Sequence, residues 1–102
     1  MMKIKSLPVA SKNIKRCFAP LNFCMREKGK EKMSLTITVV YDIVKNNKVL
    51  RYIKVSNKIC KNFESYYIIS QVYEVLKKIC DSYSVEIVQS LNEYLNTEGI
   101  EI

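Results

Sequence analysis

Ser34-Leu35-Thr36-Ile37-Thr38-Val39-Val40-Tyr41-Asp42-Ile43-Val44 alternates with a period of two. Leu35, Ile37, Val39, Tyr41 and Ile43 fall on one face, and Thr36, Thr38 and Asp42 on the other. β-Branched and aromatic residues dominate, so the stretch predicts a strand with one buried face. Asn46-Asn47, between Lys45 and Lys48, tolerates positive φ and predicts a tight hairpin turn. Val49 to Ser56 then forms the returning strand, with Lys48, Arg51 and Lys54 keeping part of the hairpin in water.

From Phe63 to about Tyr83 the period changes to that of a helix. Tyr66, Ile69, Val72, Tyr73, Leu76, Ile79, Cys80 and Tyr83 make one stripe, with Asn62 as the candidate N-cap. Glu74 and Lys78 form a favourably oriented pair one turn apart. Residues 81–84 break the pattern. Ile87, Val88, Leu91, Tyr94 and Leu95 then fit a second amphipathic helix with Ser84 as its N-cap. Tyr83, Val85 and Ile87 also alternate, which leaves a third strand near 83–88 as the alternative.

Residues 1–32 show neither period and contain both prolines, Pro8 and Pro20. They read as a basic, flexible arm or as an upstream extension foreign to the domain, with Met33 as an alternative start. The expected fold is therefore α+β. A small antiparallel hairpin packs with two amphipathic helices in the order β-β-α-α over residues 33–102, and the arm precedes it.

The net charge of +7 is unevenly spread. Residues 1–32 hold nine basic and two acidic residues, whereas residues 79–102 hold five acids and no lysine or arginine. Such polarity implies a polyanionic partner if the cations are displayed on an ordered surface. No run of about 18 apolar residues exists. The apolar stretch after Met1 is interrupted by Lys12, Lys15 and Arg16, so neither a membrane partner nor a signal peptide is expected. A cytoplasmic location is the corresponding expectation.

Absences narrow the chemistry. The chain has no histidine, which removes triads, imidazole bases and imidazole metal sites. Two glycines, Gly29 and Gly99, cannot make a glycine-rich phosphate cradle. Cys17, Cys24, Cys60 and Cys80 lack the short knuckle spacing of zinc sites, so no metal and no cofactor are expected. Cys80 falls on the helical stripe and reads as a small core residue, while Cys17 and Cys24 are close enough in sequence to bridge under oxidation. No catalytic constellation is present, and the chain reads as a non-enzyme.

Two binding readings remain. A two-strand hairpin leaves both edges open, and the long apolar strand invites a second copy, with Leu35, Ile37, Val39, Val40 and Tyr41 as interface residues. This makes a self-associating interaction or assembly protein, a homodimer or a partner of another small protein, the first expectation. The alternative is nucleic-acid binding by the arm and by Lys45, Lys48, Arg51, Tyr52 and Lys54 of the hairpin. The last helix is unsuited to a DNA groove because it carries Glu86 and Glu93 and no cation.

Overall fold

The computed structural model describes residues 14–26, 32–61 and 67–102. The chain is α+β. Strands β1 (Ile14–Arg26), β2 (Lys32–Val44), β3 (Asn47–Val55) and β4 (Lys58–Cys60) form an antiparallel sheet in sequential order. Helices α1 (Ile68–Ile79) and α2 (Ser84–Glu98) follow, joined by a 3₁₀ turn at Asp81–Tyr83. A last short strand, β5 (Ile100–Glu101), returns parallel to the start of β3.

The alternation read from residues 34–44 sets the layers. Leu35, Ile37 and Val39 are buried against Leu50, Ile53 and Val55 of β3 and against Ile68, Val72, Leu76, Ile87, Leu91 and Leu95 of the helices. Both helices therefore cover one face of the sheet. Each fully buried Leu or Ile contributes roughly 1.5–3 kcal/mol through its removal from water. On α1 the buried side is centred on Ile68, Val72 and Leu76, and Ile79 at its end is 37% exposed. The helix is thus rotated toward Ile68 relative to the stripe expected from sequence. Asn62, Phe63 and Tyr66 lie outside the described residues.

The hairpin turn lies one residue earlier than expected. Val44 pairs with Asn47, and Lys45 and Asn46 take φ of 50° and 71°, the double positive φ of a type I′ turn. Residues 83–88 are not a strand. Ser84 is the first residue of α2 and not its cap, with Tyr83 in the capping position. The helix supplies the apolar stripe of Ile87, Leu91 and Leu95, which a strand would have split between two faces. Gly99 ends α2 in the left-handed conformation, φ 68°, donating its N–H to the carbonyls of Leu95 and Asn96.

The largest departure is β1. Residues 14–26, placed by sequence in an arm without regular structure, pair with β2 along its whole length, from Ile14 opposite Val44 to Arg26 opposite Lys32. The strand that was expected to need a second copy on its edge is thus the second strand of the sheet, flanked by β1 and β3. Ala19, Leu21 and Phe23 of β1 pack onto the core. Pro20 is tolerated because β1 is the edge, where a missing N–H need not break the ladder. Residues 1–13 and 27–31 lie outside the described residues.

Candidate functional site

Because both helices lie on one side, the other face of the sheet has no helical cover among the described residues. The registers of the first three strands say which residues share it. Phe18 of β1, Val40 of β2 and Tyr52 of β3 form one transverse row. Arg16 and Asp42 lie in a second row on one side, and Pro20, Thr38 and Lys54 in a third on the other. Asn22 and Thr36 follow, with the Thr36 hydroxyl donating to Asn22 Oδ1 at 3.0 Å.

One irregularity brings Arg51 to this face. The register between β2 and β3 shifts at Val40 and Tyr41: Tyr52 opposes Val40, but Leu50 opposes Tyr41. Arg51 is the extra residue of a β-bulge, which turns its side chain onto the uncovered face. There it meets Asp42, its Nε donating to Oδ2 at 2.7 Å. From the opposite strand Arg16 donates through Nε to Oδ1 at 2.8 Å and through Nη2 to Oδ2 at 3.1 Å. The carboxylate is nearly buried, with its side chain 5% exposed, while the side chains of Arg16 and Arg51 remain 48% and 43% exposed. Hydrogen bonds from Arg16 hold the Asp42 pKa below the ordinary carboxylate value, against the effect of burial and with help from Arg51. The same contact raises the Arg16 pKa. Two guanidiniums, one from β1 and one from β3, are thereby fixed to one anion on β2, with donors still facing water.

Apolar groups flank this cluster. Phe18 is 62% exposed, Ile59 59% and Ile14 47%. All three alternate onto the uncovered face, since they pair with Val40, Lys54 and Val44. Val40 is buried between Phe18 and Tyr52 although it lies outside the main core.

The charge polarity of the sequence becomes a polarity between layers. Among the described residues, the strands with their turns, together with Lys61, hold ten basic residues against two acids, Asp42 and Glu101. From Tyr67 to Glu98 there are two lysines, Lys77 and Lys78, against five acids.

The residues expected from sequence are divided by this geometry. Arg51, Tyr52 and Lys54 lie on the uncovered face, and Lys45 is exposed in the adjoining turn. Lys48 instead faces the helices, 3.7 Å from Glu98 and 5.7 Å from the Tyr41 ring. Of the expected interface residues, Leu35, Ile37 and Val39 are spent on the chain's own core, Val40 is covered by its neighbours, and Tyr41 is half-buried. Burial and the adjacent Cys17 push the Tyr41 hydroxyl pKa up. Arg16 and Phe18 were missed as site residues. The signal that could have found them is the alternation of Cys17, Ala19, Leu21 and Phe23 against Arg16, Phe18, Pro20 and Asn22.

The cysteines do not form a site. Cys60 and Cys80 are core residues, and burial raises the Cys60 pKa, which disfavours its thiolate. Cys17 and Cys24 alternate onto opposite faces of β1, roughly 23 Å apart along an extended strand, so the fold keeps them from bridging. Among the described residues no group of three or more His, Cys, Asp or Glu is placed to hold a metal ion, and no helix is long and apolar enough to cross a membrane. No protein-family model, curated protein or solved structure matches the chain.

Proposed function

We propose that the protein is a non-enzymatic nucleic-acid-binding protein that works through the uncovered face of its sheet. The observation that carries this reading is the juxtaposition on one face of Arg16, Arg51 and Lys54 with the exposed ring of Phe18 and with Tyr52. Cations meet phosphates and release counterions, and aromatic rings accept bases. The acidic residues of α2, which would repel a polyanion, lie in the other layer.

Self-association through the hairpin edge loses its structural motive, since β1 occupies that edge. Among the described residues the outer edge of the sheet is β1, which carries Lys15, Arg16 and Pro20, residues that discourage strand-to-strand pairing with a copy of itself. Two copies laid face to face would likewise oppose Arg16, Arg51 and Lys54 of each. A protein partner is the second reading, favoured by exposed Ile14, Phe18 and Ile59. Such a partner would need to be acidic.

The test is DNA binding by the full chain across a salt series. Log affinity should fall linearly with log salt, and Lys54→Gln should reduce the slope by about one. Binding without salt dependence, or a slope unchanged in a Lys45→Gln, Lys54→Gln double variant, would overturn the reading.

A further inference from the structure

On the basis of that reading, the geometry points to single strands as the form bound: bases stack on Phe18 and Tyr52 while backbone phosphates meet Arg16 and Arg51. Phe18 and Tyr52 sit in the same transverse row with Val40 between them, two strand spacings or roughly 10 Å apart. That spacing leaves each ring its own base. The Phe18 ring is mostly in solvent, so a base covers apolar surface that the fold leaves wet. In a duplex the base faces are already stacked on each other and offer the two rings no free face. The row would then touch sugars alone.

The cluster beside the row supplies the phosphate contacts. Arg16 commits Nε and Nη2 to Asp42, and Arg51 commits Nε. The remaining guanidinium donors stay in water on side chains that are nearly half exposed. Asp42 acts as a positioning residue. It removes the freedom that a long arginine side chain ordinarily loses on binding, and it sets the two cations at a fixed separation. Lys54, one row beyond Tyr52, extends the cationic track to the other side of the rings. Base stacking tolerates any sequence, so the expected preference is for strandedness and not for a base order.

The experiment compares oligo-deoxythymidine with a blunt duplex of equal length, using the full chain. The single strand should bind at least about ten-fold more tightly. Phe18→Ala should weaken single-strand binding by roughly ten-fold while leaving duplex binding and the salt slope unchanged. Asp42→Asn should weaken both ligands together. Phe18→Trp retains the stacking surface and introduces the chain's single tryptophan, so its emission should be quenched by the single strand and not by the duplex. Equal binding of the two ligands with a normal salt slope overturns the inference and leaves nucleic-acid binding standing. Absence of binding to either overturns both. Poly-glutamate bound as tightly as the oligonucleotide does the same, and points to an acidic protein.

Discussion

Replacing Asp42 by Asn removes the charge at the centre of the uncovered face while keeping its shape. Three hydrogen bonds converge on this carboxylate, at 2.7, 2.8 and 3.1 Å. Each hydrogen bond to a charged group contributes about 1.5–3 kcal/mol, so three set a ceiling of roughly 4.5–9 kcal/mol. The ceiling is not reached, because Arg16 and Arg51 are nearly half exposed and recover water once the carboxylate is gone. The floor is that of an exposed ion pair, about 0–1 kcal/mol. Asn keeps one acceptor but turns an NH2 toward a guanidinium, so a loss of about 2 kcal/mol is expected between these limits. For a chain of this size that is a fall in Tm of roughly 8–16 °C, read by circular dichroism at neutral pH. The pH dependence carries a sign. The folded pKa of Asp42 lies below its ordinary value of 3.8, so the stabilisation is complete above that value and is lost as pH falls through the folded pKa. The gap between wild type and Asp42→Asn should therefore be constant above about pH 5 and close as the medium becomes more acid. A gap under about 2 °C at neutral pH, or one that persists undiminished at about pH 2, would refute the reasoning.

Three further outcomes are expected. Leu76→Ala should cost about 2–5 kcal/mol, because Leu76 is fully buried at the centre of α1. Lys77→Ala, on the exposed side with its ammonium 5.7 Å from the Tyr73 ring, should cost under about 1 kcal/mol, and equal urea midpoints for the two would show the helix face to be misassigned. Gly99→Ala should destabilise by about 1–2 kcal/mol through backbone strain at φ 68° alone, since an added Cβ meets nothing within 4 Å. Thermal unfolding with no change at that site would contradict the left-handed cap. A chain beginning at Met33 lacks β1 and bares the edge of β2, so sedimentation should show it self-associating or unfolded. A cooperative monomer with the melting temperature of the full chain would show β1 to be dispensable.

What was legible in the sequence was what obeys a single period. β2 alternates cleanly, β3 follows from its turn, and the helices are marked by their stripes; the first ends at Ile79, four residues before Tyr83, and the second begins at Ser84. β1 was hidden because both of its faces are apolar at the centre. Phe18 and Pro20 interrupt the alternation of Cys17, Ala19, Leu21 and Phe23, and Pro20 reads as a breaker unless the strand is known to be an edge. β4 and β5 are three and two residues long, too short for any period to register. The site was half legible for the same reason. Arg51, Tyr52 and Lys54 belong to a strand with a plain signal, whereas Arg16 and Phe18 belong to one whose alternation Phe18 and Pro20 obscure. Lys48 was grouped with them because the bulge at Arg51, which reverses the facing of the residues before it, leaves no mark in composition or spacing.

That extra residue makes the face a matter of parity. Before it, even-numbered Lys48 and Leu50 look toward the helices; after it, even-numbered Tyr52 and Lys54 look away. Loss of Arg51 alone would restore a regular ladder, with Leu50, Tyr52, Ile53 and Val55 all keeping their partners and their faces. Loss of any other residue of β3 instead shifts part of the strand by one position, and the shifted residues change faces. In the first case one arginine disappears from Asp42 before any contact with a ligand is altered. Chains descended from the same ancestor should thus tolerate a single-residue deletion at the bulge, and elsewhere in β3 changes of length only in twos.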